Sequence, residues 1–185
     1  MKIVPNTERW NEGERDWTFV PDPKNEIAAW ERRTGIRLPD EYRKFLLKFN
    51  GGSVYPRLFK HSISPDVLPS ISPEEFVDRI YRWDQVEALN NGIGYGQGIP
   101  PKCLNIAETP GPLEILLSCD DSDYGMIYGW IRSSNPWGTG TNKEKYLLAA
   151  DFSIFLKMLY DDDEKTDYEG WFIPAYTPVI RELEL

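Results

Sequence analysis

The sequence predicts an α+β fold in which about four helices pack against a single antiparallel sheet. Several segments repeat apolar residues at i, i+3, i+4 and i+7, the spacing of a helix with one buried face. Residues 102–150 instead contain short apolar or alternating runs bounded by turn residues, which is the pattern of strands. Antiparallel pairing is the natural arrangement for such short, consecutive runs.

The first two predicted helices are separated by a short connection. The first begins near Pro23 and ends around Gly35, which can adopt the left-handed conformation that closes a helix. The second opens with Pro39 and two acidic residues, which suit a first helical turn, and it ends before residues 50–52. Its predicted buried face consists of Tyr42, Phe45, Leu46 and Phe49.

The remaining elements follow from local patterns. Residues 53–71 contain three prolines and predict a loop with one edge strand. Ser72 and Glu75 form a capping-box pattern around Pro73, which predicts a helix over residues 72–90. Strands are expected at 104–107, 113–118, 125–131 and 146–149. The last helix, over residues 151–160, carries the apolar stripe Phe152, Phe155, Leu156 and Leu159, so it should share one core with the second helix.

Residues 31–52 contain a longer motif, E-x-x-x-G-x-x-L-P-x-x-Y-x-x-F-L-x-x-x-N-G-G, formed by Glu31, Gly35, Leu38, Pro39, Tyr42, Phe45, Leu46, Asn50, Gly51 and Gly52. This motif resembles the signature of the SMI1/KNR4 domain, also called the SUKH superfamily. Weaker similarity continues at residues 101–107, 125–130 and 150–156. The resemblance implies an SMI1/KNR4-like α+β fold and a protein-binding role, most often that of an immunity protein that neutralises a bacterial toxin.

Length and charge restrict the class of protein independently. A chain of 185 residues with 41% hydrophobic content suits one domain, with a core over about 23–160, an N-terminal arm at 1–22 and a C-terminal extension at 161–185. The formal net charge of -9 argues against binding of nucleic acid or anionic membranes and is compatible with a basic protein partner. The expected oligomeric state is a monomer or weak dimer.

Localisation follows from what the sequence lacks. The N-terminal residues contain no apolar run of signal-peptide length, and no later stretch reaches the 18 or more apolar residues of a membrane span. The two cysteines, Cys103 and Cys119, form no CxxC motif, which favours a reduced pair and makes a metal site improbable. We therefore expect a cytoplasmic protein without cofactor or metal.

Motifs that suggest chemistry do not withstand inspection. The glycine-rich residues 92–98 lack the G-x-G-x-x-G spacing, and the prolines that follow prevent the required helix. The acidic residues 120–125 would place Ile131 where a calcium loop needs glutamate, so they predict a hairpin turn. His61, the single histidine, has no sequence feature that brings a cysteine or serine near it, so an exposed or locally bonded imidazole is expected and no catalytic residue is assigned.

Candidate partner-binding residues combine acidic and aromatic side chains, which suit electrostatic steering and low-entropy anchoring. They are Asp120, Asp121, Asp123 and Tyr124 in the turn, Trp137, and Asp161, Asp162, Asp163 and Glu164 in a stretch with six acidic residues between Asp161 and Glu169. The simpler interpretation of that acidic stretch is a solvated loop.

Three functions remain open at this stage. The first is a non-enzymatic immunity protein that binds the basic C-terminal domain of a polymorphic toxin such as a nuclease. The second is a regulatory or scaffolding module like the fungal cell-wall-synthesis regulators of the same family. The third is an enzyme whose catalytic residues the sequence does not reveal.

Overall fold

A computed structural model of the chain describes residues 1–5, 9–11, 14–16, 22–64, 72–92, 98–131, 144–160 and 181–182. Within these residues an antiparallel sheet combines with four helices, so the predicted α+β class is confirmed. The helices are α1 (Lys24–Thr34), α2 (Asp40–Phe49), α3 (Trp83–Asn90) and α4 (Phe152–Lys157).

The main sheet contains eight of the twelve described strands, in the order β11-β10-β9-β8-β7-β4-β1-β12. These are β1 (Lys2–Pro5), β4 (Gly52–Tyr55), β7 (Arg79–Ile80), β8 (Cys103–Glu108), β9 (Leu113–Ser118), β10 (Ile127–Ile131), β11 (Tyr146–Ala149) and β12 (Arg181–Glu182). Two separate ribbons pair β2 (Arg9–Asn11) with β3 (Glu14–Asp16) and β5 (Leu58–Lys60) with β6 (Glu74–Phe76).

The helices and one face of the sheet enclose the main core. The centre of the Phe152 ring lies 5.0 Å from that of Tyr42 and 5.1 Å from that of Phe45. The centre of the Phe155 ring lies 5.8 Å from that of Phe59 in β5. The prediction that the α2 and α4 stripes share one core is confirmed, since all eight residues of the two stripes are buried in a single cluster.

The opposite face of the sheet carries a smaller apolar cluster and a polar pair. Its apolar members are Cys103, Leu116, Tyr128 and Trp130, all buried. The alternation of strand side chains places these residues away from the helices. Both cysteines are free thiols and buried, as the sequence predicts, and burial raises the pKa of Cys119 to about 12.

The connection between α1 and α2, residues 35–39, is fixed by the motif glutamate. Gly35 closes α1 with φ 69°, a left-handed conformation that glycine adopts without strain. Glu31 then accepts the Leu38 N–H at 3.0 Å and a hydrogen bond from Arg43 at 2.5 Å. One partly buried carboxylate therefore joins α1, the connection and α2.

Residues 50–52, here called the 50–52 junction, connect α2, β4 and α3. Asn50 is buried at φ 49°, and its side-chain oxygen accepts the Trp83 N–H at 2.9 Å, which caps the start of α3. A Cβ on Gly51 would lie 2.7 Å from backbone atoms of Tyr81 and Arg82. The expected left-handed conformation of Gly35 is confirmed at φ 69°, and Gly51 and Gly52 also have positive φ values, 85° and 136°.

The predicted helix over residues 72–90 is wrong in its first half. Glu74–Phe76 forms β6 against β5, and Arg79–Ile80 forms β7 between β4 and β8, so the helix begins only at Trp83. The Ser72 hydroxyl does accept a backbone N–H, but from Glu74, and no helix follows it. Pairing with strands distant in sequence outweighed a local capping signal.

Two further boundaries differ from expectation. Residues 53–71 were expected to hold at most an edge strand, but β4 lies inside the main sheet between β1 and β7, and β5 pairs with β6. The last helix ends at Lys157 instead of residue 160, and Tyr160 forms an antiparallel bridge with Leu58. Residues 93–97 of the glycine-rich stretch lie outside the described residues.

Candidate functional site

Residues 120–125, here called the 120–125 turn, connect β9 to β10 and carry four of the predicted partner-binding residues. The Gly125 N–H donates to the Ser118 carbonyl at 2.9 Å, and the Met126 N–H donates to the Asp123 carbonyl at 3.0 Å. Gly125 has φ 86°, which glycine adopts without strain. The predicted hairpin turn is confirmed.

Asp123 is the centre of a polar network, not an exposed acid. Its carboxylate accepts hydrogen bonds from the Ser118 and Tyr128 hydroxyls, the latter at 2.7 Å, and pairs with the Lys145 ammonium at 2.6 Å. Burial acts to raise the pKa of Asp123, but these three partners outweigh it, and the pKa is lowered. Asp123 is thus held by bonds within the protein, and its role in partner binding stays a prediction.

Asp120 is also held within the protein. Its carboxylate accepts the Ser122 N–H at 3.1 Å and the Ser122 hydroxyl at 2.9 Å, and it pairs with Lys102 at 3.0 Å. The Ser122 N–H, followed by Lys102 and the Ser122 hydroxyl, lowers the pKa of Asp120 to about 2. Asp120 thus connects the turn to the residue preceding β8, and its role in partner binding stays a prediction.

Asp121 and Tyr124 remain accessible on this turn. Asp121 is exposed and forms no hydrogen bond or ion pair with a described residue. The Tyr124 ring is 41% exposed, one of four large apolar side chains so exposed in the described part of the chain. Among the four turn residues proposed from the sequence, these two have the availability that partner binding needs.

The 120–125 turn lies beside the 35–39 connection. An ideal Cβ on Gly125 would be 3.9 Å from the Pro39 Cβ. Of the charged groups around Tyr124, Arg37 has the largest effect on the pKa of its hydroxyl. Partial burial raises the pKa of Tyr124, and the Arg37 guanidinium opposes that rise. Arg37 itself pairs with Asp40 at 2.9 Å, and both side chains are mostly exposed.

The sequence did not indicate the basic members of this site. Arg37, Lys102 and Lys145 lie far from the turn in sequence, and each pairs with one acid of the site or its neighbour. The local sequence around a lysine or arginine in a helix connection or before a strand does not indicate which acid the residue pairs with. Only the sheet register and the packing of residues 35–39 bring these groups together.

The other proposed contact residues lie outside the described residues. They are Trp137, Asp161, Asp162, Asp163 and Glu164. Their role in partner binding stays a prediction.

A second polar cluster lies on the sheet face opposite the helices. The Asn105 amide donates to Glu114 at 3.0 Å, and both side chains are at least nine-tenths buried. On the same face the Tyr81 hydroxyl donates to Glu108 at 2.8 Å, and Arg79 pairs with Glu108. These contacts join β7, β8 and β9, so we assign the cluster to the stability of the sheet. The Asn105 side-chain oxygen is buried without a hydrogen-bond partner among the described residues.

The residues considered for chemistry are dispersed or locally bonded. His61 Nδ1 accepts the Ile63 N–H at 3.2 Å, so the locally bonded imidazole expected from the sequence is confirmed. In the described ranges, no three His, Cys, Asp or Glu side chains are grouped so that they could hold a metal ion. No helix among those ranges is both long and apolar enough to traverse a bilayer.

The fold and site define a class: an α+β domain with helices on one face of an antiparallel sheet and a rigid, polar hairpin turn beside the α1–α2 connection. A family model for the SMI1 / KNR4 family (SUKH-1) matches residues 23–158, which is well over half of the chain. The chain belongs to this family, as the sequence motif predicts. A comparison with curated proteins finds no match to the chain.

Proposed function

We propose that this chain is a non-enzymatic, protein-binding member of the SMI1/KNR4 family that acts in the cytoplasm as an immunity protein. Its proposed partner is the basic C-terminal domain of a polymorphic toxin, which it binds and neutralises. The observation that carries the proposal is the family match over residues 23–158, because immunity to toxins is the role most often associated with that family.

The charge of the chain supports this choice of partner. A toxin that degrades nucleic acid needs a positive groove for phosphate, and carboxylates can cover such a groove. The net charge of -9 attracts a basic domain at long range and accelerates association. The same charge repels nucleic acid. The chain should therefore bind the toxin itself and not the toxin's nucleic-acid substrate.

The experiment is a neutralisation test in bacteria. The chain is co-expressed with the toxin C-terminal domain encoded beside its own gene, and growth is compared with toxin alone. Growth restored together with a stable complex in size-exclusion chromatography supports the proposal. An unchanged growth defect and separate elution of the two proteins would overturn it. The electrostatic control is a variant in which every exposed acidic residue is replaced by alanine.

Kinetics then test the acidic stretch. Changing Asp161, Asp162 and Asp163 to Asn should slow association and flatten its salt dependence, because long-range attraction is screened by salt. Removing Trp137 should instead accelerate dissociation, as loss of an aromatic anchor does. Association at low salt that equals wild type would assign the stretch to a solvated loop.

A further inference from the structure

We infer that the 120–125 turn and the 35–39 connection together form a preformed docking surface for a basic side chain of the partner, with Tyr124 and Asp121 as its anchor. This inference rests on the proposed function and identifies which surface carries it. It differs from an electrostatic surface spread over the acidic stretch, since it commits to one aromatic ring and one carboxylate.

The first observation is that the turn is fixed before any partner arrives. Asp123 is bonded to Ser118, Tyr128 and Lys145, and Asp120 is bonded to Ser122 and Lys102. These contacts connect the turn to β8, β9, β10 and the residue preceding β11. A rigid turn loses little conformational entropy on binding, so its contacts contribute more fully to affinity.

The neighbouring connection is fixed in the same way. Glu31 accepts the Leu38 N–H and pairs with Arg43, while Leu38 and Pro39 are buried. The Pro39 side chain lies next to Gly125 of the turn, since a Cβ added there would be 3.9 Å from the Pro39 Cβ. The surface therefore consists of two rigid segments that meet, which explains how Tyr124 can be exposed and still have a defined position.

The balance of charges indicates a basic partner. The nearby cations Arg37, Lys102 and Lys145 each face an acid, at 2.9, 3.0 and 2.6 Å. Asp121 is left as an exposed carboxylate without an ion pair among the described residues. A basic surface of the partner can therefore offer one side chain to the Asp121 carboxylate, in a salt bridge, and another to the exposed Tyr124 ring, in a cation–π contact.

The exposed ring also suits the centre of an interface. Tyrosine and arginine are enriched at the few positions that dominate binding energy, and tyrosine has few rotatable bonds to immobilise. The Tyr124 hydroxyl forms no hydrogen bond with another described residue, so this group is available to the partner as well.

The test uses the full chain and an inactivated form of the toxin domain encoded beside its gene, with association and dissociation rates measured at two salt concentrations. Tyr124→Ala should weaken binding roughly ten-fold or more, mostly through dissociation, whereas Tyr124→Phe should retain most of the affinity. Leu47→Ala is the matched control, since Leu47 is 40% exposed on α2, and it should leave binding unchanged.

Two charge substitutions determine the sign of the partner. Asp121→Asn should slow association a few-fold and reduce its salt dependence, and Arg37→Gln should accelerate association. The opposite signs would overturn the basic partner and indicate an acidic one. Glu26→Gln, at the far end of α1, makes the same charge change away from the surface and should act only weakly.

The outcomes separate this inference from the proposed function. If wild type neutralises and binds the toxin domain but Tyr124→Ala and Asp121→Asn bind equally well, the surface is wrong and the function stands. If wild type neither binds nor neutralises, both are overturned. If the chain forms a dimer and Tyr124→Ala dissociates it, the surface binds a second copy of the chain and is overturned as a toxin site. Thermal melts show that each variant is folded.

Discussion

The 50–52 junction and the 120–125 turn both place a glycine at positive φ, but they differ in what surrounds that glycine. A Cβ on Gly51 would contact three backbone atoms at 2.7 Å, whereas one on Gly125 would have only the Pro39 Cβ at 3.9 Å. The buried Asn50 amide caps a helix, whereas the turn acids form ion pairs near the surface. The motif of residues 31–52 therefore includes the tightly packed centre of the fold, whereas the accessible Asp121 and Tyr124 lie outside the motif.

This difference separates two kinds of substitution. A substitution at Asn50 or Gly51 should change backbone packing at the junction. A substitution at Tyr124 or Asp121 should leave that packing intact and change only the proposed docking surface.

The largest expected effect concerns the aromatic core beneath the junction. Phe155→Ala should lower the free energy of unfolding by about 3 to 5 kcal/mol, because the ring is fully buried and its removal leaves a cavity. Phe45→Ala, at a ring that is 5% exposed, should have a similar effect. Urea denaturation measures both, with exposed Ile154→Ala as the control, and midpoints equal to wild type would contradict this core.

The two motif glycines provide a sharper contrast. Gly51→Ala combines a left-handed φ with close backbone contacts and should cost about 2 to 5 kcal/mol. Gly35→Ala meets nothing within 4 Å and should cost about 1 to 2 kcal/mol from its φ alone. Chemical denaturation of both variants decides this, and equal losses would show that the contact at Gly51 is relieved by local movement.

Asn50 should show an intermediate effect. Asn50→Ala removes the acceptor of the Trp83 N–H in a buried site and should cost about 1 to 3 kcal/mol. Asn50→Gly loses the same hydrogen bond but adopts φ 49° without strain, so it should be less destabilised than the alanine variant. Hydrogen exchange at the first turn of α3 should accelerate in both, and unchanged exchange there would exclude a capping role.

The smallest effect is expected in the 120–125 turn and depends on pH. The pKa of Asp123 is lowered in the folded state, so its ionised form contributes stability above its unfolded pKa of about 3.9, and this is lost as pH falls through the folded pKa. Asp123→Asn should therefore be less stable than wild type near pH 7, and the difference should begin to shrink as pH falls below about 4. A stability difference that is constant from pH 3 to 7 would contradict the ionised network.

Local patterns were sufficient where an element depends on its own residues. The strands at 113–118 and 146–149 and helix α2 lie where alternation and the apolar stripe place them. The motif glycines were assigned correctly because positive φ has a strong residue preference.

Elements that depend on distant partners could not be predicted in this way. Phe76 faces Leu58 and Ile80 faces both Gly52 and Ala107, so residues 74–80 form strands despite a helical capping pattern. The same limit applied to the site. Asp123 looks like an exposed acid in the sequence, and only the register that brings Ser118, Tyr128 and Lys145 to it shows otherwise.

The pairing of β1 with β12 has a consequence for the connectivity of the chain. Lys2 lies opposite Glu182, and Ile3 lies opposite Arg181, outside the part of the sequence that the family model matches. Residues 2–3 and 181–182 are thus neighbours at one margin of the sheet. Of the described strand pairs this one is the most distant in sequence, so its closure costs the most chain entropy.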